Sequence, residues 1–281
     1  MNFKRIQEVF LLAFIILDVF LVLMIVQNRN MQSENTNQSS ANATIIKEMR
    51  RDEISVGKLS NKRSSGYYIS ATNDGNLANE MGNLRNQDAR FENGAVVSTL
   101  RTPVQFDDRN PQNTIDPLMK KKSFVINGDD YEYDPNQSNS SKIVYIQKAM
   151  TSTLMDNNAK ITFNLDEDGD IKSYTQTALT NIKILHESAE TISQERALIW
   201  LYQYNEIPNN SKVLWTRRSY TKLLTIKNNG VYIPTWVIAI QTRNSKDVSI
   251  RRINAFTGSV LKTENVQGNF KNKITSGMED N

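Results

Sequence analysis

The sequence predicts an α+β protein in which one N-terminal transmembrane helix precedes an extracytoplasmic body of antiparallel sheet with a few packed helices. Three observations carry that expectation. Residues 9–26 read VFLLAFIILDVFLVLMIV, an apolar run broken by one acid. Beyond residue 44, short runs alternate apolar and polar positions and are punctuated by Asn-Gly and Asp-Gly pairs, the pattern of half-buried strands joined by tight turns. Ala197, Leu198, Leu201 and Tyr202 recur at helical spacing within residues 191–205, giving one apolar face for a sheet to cover.

The first run comes first in the chain and in weight. At ~1.5 Å of rise per residue it covers nearly 30 Å as a helix, about the thickness of a bilayer's hydrocarbon core. A cleaved signal peptide would have a shorter apolar region followed closely by small residues. Gln27, Asn28, Arg29 and Asn30 follow instead, and the nearest Ala-x-Ala site lies at 41–43, so a retained anchor is expected. Lys4 and Arg5 precede the run against Arg29 after it, which orients residues 1–8 to the cytoplasm and everything after 26 to the outside of the cell membrane. Asp18 sits near the middle, where a carboxylate costs ~2.5–3.5 kcal/mol on insertion scales. A polar group on a neighbouring transmembrane helix would offset that cost, so Phe14, Leu17, Asp18 and Leu21 are the candidate partner-binding residues. The run has no GxxxG pattern to support close self-packing.

Residues 27–44 are mostly Asn, Gln, Ser and Thr and read as a polar flexible spacer, because they offer too little apolar surface to bury. A first extracytoplasmic lobe is expected over 45–186. In it, 45–51 reads as a helical turn or two, 54–59 as a short strand, 66–71 (GYYISA) as a better strand and 76–85 as a modest helix. Hairpins are expected to pivot at Asn93-Gly94 and at Asn127-Gly128, the latter within SFVINGDDYEY, and strands to follow at 142–147, 160–165 and 171–185. A second lobe is expected over 187–267. It opens with the helix at 191–205, for which Thr191 and Gln194 suit a capping box, and continues as strands at 211–226, 231–243, 248–256 and 259–262, with turns at Asn229-Gly230, Asn244-Ser245 and Thr257-Gly258. The tail 268–281 has no such pattern and is expected to be disordered.

Composition narrows the chemistry. The 281 residues carry 34 Lys and Arg against 30 Asp and Glu, interspersed rather than clustered, so the net charge of +4 describes a mixed solvated surface and not a nucleic-acid footprint. With no cysteine and one histidine, disulfides, thiolate metal sites and the usual zinc or nucleophile sets have no residues to form them. GxSxG, P-loop and HExxH patterns do not occur. Asp166 to Asp170 (DEDGD) lacks the closing glutamate of an EF-hand loop and reads as a hairpin turn. No catalytic residue, metal site or cofactor is expected. Trp200, Trp215 and Trp236 suit core packing as well as a peptide- or sugar-binding groove.

Several segments together resemble the YycI (WalI) family. They are FIILDVFL at 14–21, GYYISA at 66–71, SYTQT at 173–177, the helix from Ile192-Ser193 to Leu201-Tyr202, YIPTW at 232–236 and INAFTG at 253–258, the last two also similar to PepSY-like modules. Residues 111–119 and the Asn-rich spacer fall outside the resemblance and read as loops. The resemblance implies a regulatory protein of the WalK/WalR (YycG/YycF) two-component system of low-GC Gram-positive bacteria. Such a protein sits with the sister protein YycH beside the sensor histidine kinase YycG (WalK) and adjusts signalling of cell-wall metabolism through transmembrane contacts. The alternative is an extracytoplasmic module that binds peptide or wall polymer without kinase contact.

Overall fold

The computed structural model describes residues 7, 11–22, 35–107, 109–227, 229–243, 245 and 247–261, with residues 35–40 in backbone only. The chain divides into two compact units, 1–51 and 52–281. The described residues of the first are helical. Helix α1 covers residues 11–22, and helix α2 is Asn35–Arg51. Among the described residues no helix is long and apolar enough to cross a membrane. The span read at 9–26 continues on both sides of α1 into positions outside the described residues. Helix α2 takes in residues 35–44, where composition alone suggests a spacer. The polar NTNQSSANAT stretch is a poor helix nucleus, but once 45–51 is helical each further residue adds a hydrogen bond, and Arg50 and Arg51 favour the negative end of the helix dipole. Residues 27–34 and the tail 268–281 lie outside the described residues.

The second unit is the predicted sheet-rich α+β body, and it contains two main sheets. A seven-stranded antiparallel sheet is formed by β3 (Gln87–Glu92), β4 (Ala95–Val104), β5 (Tyr131–Tyr133), β6 (Lys142–Ala149), β7 (Ser152–Thr153), β8 (Lys160–Leu165) and β9 (Ile171–Gln176), ordered β3-β4-β9-β8-β6-β5 with β7 pairing β6. Six strands make the other: β2 (Ile69–Thr72), β10 (Thr180–Ile184), β12 (Ser211–Ile226), β13 (Asn229–Thr242), β14 (Val248–Asn254) and β15 (Val260–Leu261), ordered β10-β2-β13-β14-β15 with β12 on the other side of β13. The short strands β1 (Ser64–Gly66) and β11 (Ala189–Thr191) pair with each other. Alternation along the strands produces the cores, one around Tyr145, Phe163 and Tyr174 and one around Ile69, Tyr220 and Tyr232. A division of the chain at residue 186 cuts across the second sheet, because β2 and β10 pair with each other and β2 pairs with β13.

Local signals succeed where the turn is local. Asn93 and Gly94 both have positive φ (50° and 80°) and join β3 to β4 as a two-residue loop between Glu92 and Ala95. The DEDGD stretch turns β8 into β9, with the Asp166 carboxylate accepting the N–H groups of Asp168 and Asp170. The sequence expectation for 123–133 fails. Residues 123–126 form no strand, and Gly128–Asp130 is a 3-10 turn entering β5. Phe124, Val125 and Ile126 are buried instead, and strand side chains bond their backbone. Gln176 accepts the Ile126 N–H and donates to its carbonyl, Tyr174 donates to the Phe124 carbonyl, and Gln87 donates to those of Ser123 and Phe124.

Five smaller expectations are also corrected. Residues 111–119, read as a loop, form helix α4 (Pro111–Met119), with Pro at the N-terminus and Pro111, Ile115 and Met119 buried at four-residue spacing. Residues 54–59 make only an isolated bridge, Ser55 to Lys212. Helix α5 (Gln194–Gln203) is capped by Ser193, whose hydroxyl accepts the Arg196 N–H, because Thr191 is committed to the β1–β11 ladder. The β12–β13 turn falls between Ile226 and Asn229, ahead of Asn229-Gly230. Gly230 lies inside β13, where an added Cβ would sit 2.6 Å from the Tyr232 ring. The helix read at 76–85 is the short α3 (Leu77–Glu80) followed by a 3-10 turn.

Candidate functional site

The candidate site begins with four residues of α1. Phe14, Leu17, Asp18 and Leu21 are spaced three, four and seven apart, so a helix places them in one stripe about 10 Å long. All four are exposed, with Phe14 at 58%, Leu17 at 49% and Leu21 at 45%. Ile16 and Val19 occupy the opposite side of the helix. An acid within an otherwise aliphatic and aromatic stripe can do one thing chemically: exchange a hydrogen bond with a polar group on a facing helix while its neighbours pack around the pair.

In the body, three aspartates are tied to the fold. Asp134 is fully buried and binds the Arg217 guanidinium at 2.7 Å, the Gln137 amide at 2.7 Å and the Asn136 N–H at 3.0 Å, which joins the end of β5 to β12. Asp156 accepts from the Tyr232 hydroxyl at 2.9 Å and faces Lys222 at 3.2 Å. Asp116 accepts from Tyr145 at 2.6 Å. Burial pushes the hydroxyls of Tyr131, Tyr174, Tyr145 and Tyr232 well above the usual phenol range, and for the last two the adjacent aspartate pushes the same way. Burial also lowers the Lys160 ammonium. These phenols stay protonated and serve as hydrogen-bond donors.

No group of three or more His, Cys, Asp or Glu among the described residues is arranged to hold a metal ion. His186 is exposed and meets the edge of Tyr68. Each tryptophan has its own structural neighbour: Trp200 lies under Arg196 and against Gly258, Trp215 under Arg217, and Trp236 donates to the Ile192 carbonyl. A shallow crevice lined by Ser65, Gly66, Ser152, Arg218, Tyr220 and Pro234 encloses essentially no space, against the ~300–1,000 Å³ typical of ligand pockets. Its Arg218 guanidinium is engaged by the Ser64 hydroxyl and the Ser65 carbonyl. Sequence reading did not find the Asp134–Arg217 link, since an isolated acid and an isolated base far apart in the chain form no pattern.

The YycI protein family matches residues 32–256. The chain belongs to the YycI family. The match takes in the first sheet, the second sheet up to β14 and helix α4, and it starts after the helix that carries Phe14, Leu17, Asp18 and Leu21. No curated protein matches the chain. Among solved structures, an uncharacterized protein from Eubacterium rectale is 10% identical, with a TM-score of 0.42 and coverage of 75% of this chain and 89% of that one. The C-terminal domain of YpeB from Bacillus megaterium is 12% identical, with a TM-score of 0.36 and coverage of 79% of this chain and 95% of the domain.

Proposed function

We propose that this YycI-family chain is a membrane-anchored regulator of the WalK (YycG) sensor histidine kinase, acting with YycH to adjust two-component signalling of cell-wall metabolism. The family match over residues 32–256 carries the reading. In it, residues 9–26 span the cell membrane once, residues 1–8 are cytoplasmic and the body lies outside. The stripe of Phe14, Leu17, Asp18 and Leu21 packs on the helices of the kinase assembly. To change kinase output, that contact must differ in free energy between the kinase's two signalling states. Hydrogen bonds between helices in membranes are worth ~0.6–2 kcal/mol, so a bond from Asp18 made in one state alone shifts the balance by roughly 3- to 30-fold.

Photocrosslinkers placed along the helix in intact cells test this directly. Positions 17 and 21 should capture the kinase or YycH, and positions 16 and 19, on the opposite side, should not. Replacing Asp18→Leu should weaken capture and change output of the response regulator's target promoters by roughly 3- to 10-fold. Unchanged capture and output in that variant would remove the polar contact from the mechanism, and capture of neither protein from any position would remove the regulator reading.

A further inference from the structure

We infer that the tip of the β12–β13 hairpin, where β12 is the sheet edge and β13 pairs with β2, contacts lipid and settles into the headgroup region of an anionic bilayer. The inference takes from the proposed function only the nearness of a membrane. Its grounds are the side chains of the tip. Along β12 the residues from Ser219 to Thr221 are buried, and from Lys222 to Lys227 every residue is exposed. Three of these are aliphatic: Leu223 at 42%, Leu224 at 45% and Ile226 at 57%. Leu224 pairs with Val231 and Ile226 with Asn229, so Leu224 and Ile226 share one face of the sheet edge. The ladder shifts register between Lys222 and Leu224, a bulge that gives Leu223 its extra place.

Three lysines share this end of the sheet. Lys227 is exposed in the turn with φ of 55°. Lys183 lies in the same cross-strand row as Leu224, through Ser70 and Val231. Lys222 touches Asp156 at 3.2 Å and keeps its side chain 36% exposed. The other nearby acid, Asp74 past the end of β2, accepts a hydrogen bond from Asn181 at 2.9 Å.

Exposed aliphatic side chains at the end of an edge strand gain nothing from water, and at a bilayer they leave it. Lysine stems can lie along the same apolar boundary while their ammonium groups reach anionic phosphates. Each such cation near an anionic surface raises partitioning roughly fivefold. A protein partner fits the composition less well, since the centres of protein interfaces are depleted in lysine.

The chain has no cysteine, so one introduced cysteine can carry a polarity-sensitive fluorophore. Full-length chain is reconstituted into vesicles of phosphatidylcholine, alone or with phosphatidylglycerol, that carry quencher-labelled lipid. Labels are placed through Ile226→Cys, Leu17→Cys and, as an exposed control in the β8–β9 turn, Asp168→Cys. The label at 226 should shift to the blue and be quenched in anionic vesicles, while the label at 168 stays in water. Lys183→Gln with Lys227→Gln should reduce that quenching severalfold in anionic vesicles and leave neutral ones unchanged. Leu223→Ser with Leu224→Ser should reduce it in both.

A label at 226 that stays in water in both lipids overturns the inference. Shielding at 226 without lipid quenching, rising with protein density, marks a protein contact and also overturns it. The label at 17 separates the two readings. If it is in lipid while 226 is in water, the hairpin contact fails and the anchor stands. If it is in water while 226 is quenched, the anchor reading fails and the hairpin contact stands.

Discussion

Of the chain's three Asn-Gly pairs, the one at positions 93–94 and the one at 127–128 do different things. The first is a two-residue hairpin turn with both residues at positive φ. At the second, Asn127 alone is left-handed, and Gly128 opens a 3-10 turn that follows a buried loop. The flanking residues explain the difference. Around 93–94, Phe91 and Glu92 face Val96 and Ala95 across a ladder that pays back its closure at once. Before 127, three consecutive apolar residues have no alternation to place one side on solvent, and they enter the core whole. Their backbone is then bonded by Gln87, Tyr174 and Gln176 rather than by a neighbouring strand. A turn signal is sufficient when the strands beside it supply the hydrogen bonds, and insufficient when distant side chains supply them.

Removing those distant side chains is the strongest way to break the comparison. Gln176 is fully buried, and Gln176→Leu leaves the Ile126 N–H and carbonyl without partners. An unsatisfied buried group costs ~1–3 kcal/mol, so a loss of about 4 kcal/mol is expected from the pair. Urea unfolding followed by circular dichroism measures it, and a loss below about 1 kcal/mol would show that the loop finds other partners.

The next effect belongs to Gly128. A Cβ there would lie 2.1 Å from the Met119 carbonyl oxygen and 2.7 Å from a Val125 methyl. The oxygen belongs to the end of α4 and cannot swing aside, so Gly128→Ala forces the loop and helix apart at a cost of about 3 kcal/mol. Faster hydrogen exchange in residues 111–131 than in β3 and β4 would place that damage at the second pair. Uniform exchange across the sheet would mean that the loop and the hairpin unfold together.

These residues also mark what was legible in the sequence. The Asn93-Gly94 hairpin, the Asp166–Asp170 turn and the face of α5 could be read because period and turn chemistry act within a few residues. Ser193 in place of Thr191 as the α5 cap could not, since the choice depends on Thr191 pairing with Ser64 across more than a hundred residues. Sheet membership of β2 and β10 depends in the same way on β13. The stripe of Phe14, Leu17, Asp18 and Leu21 is legible as spacing and composition, and because all of residues 11–22 are exposed, exposure does not distinguish it from the rest of α1.

The smallest effect sharpens the comparison from the other side. At Gly94 the space is less restrictive than at Gly128, because an added Cβ would lie 3.1 Å from the Asn73 amide nitrogen, the end of a side chain that can move. The cost of Gly94→Ala is therefore mainly conformational. Its φ of 80° is one that alanine adopts at ~1–2 kcal/mol, and nothing buried loses a partner. A loss of about 1 kcal/mol in urea, with hydrogen exchange quickened only in β3 and β4, is expected. Gly94→Asn should recover most of it, because asparagine tolerates the left-handed region, whereas Gly128→Asn should recover nothing, because there the obstacle is the Met119 carbonyl. Equal rescue at both positions would mean that the two pairs are limited by the same backbone strain and that their contrast is not one of packing.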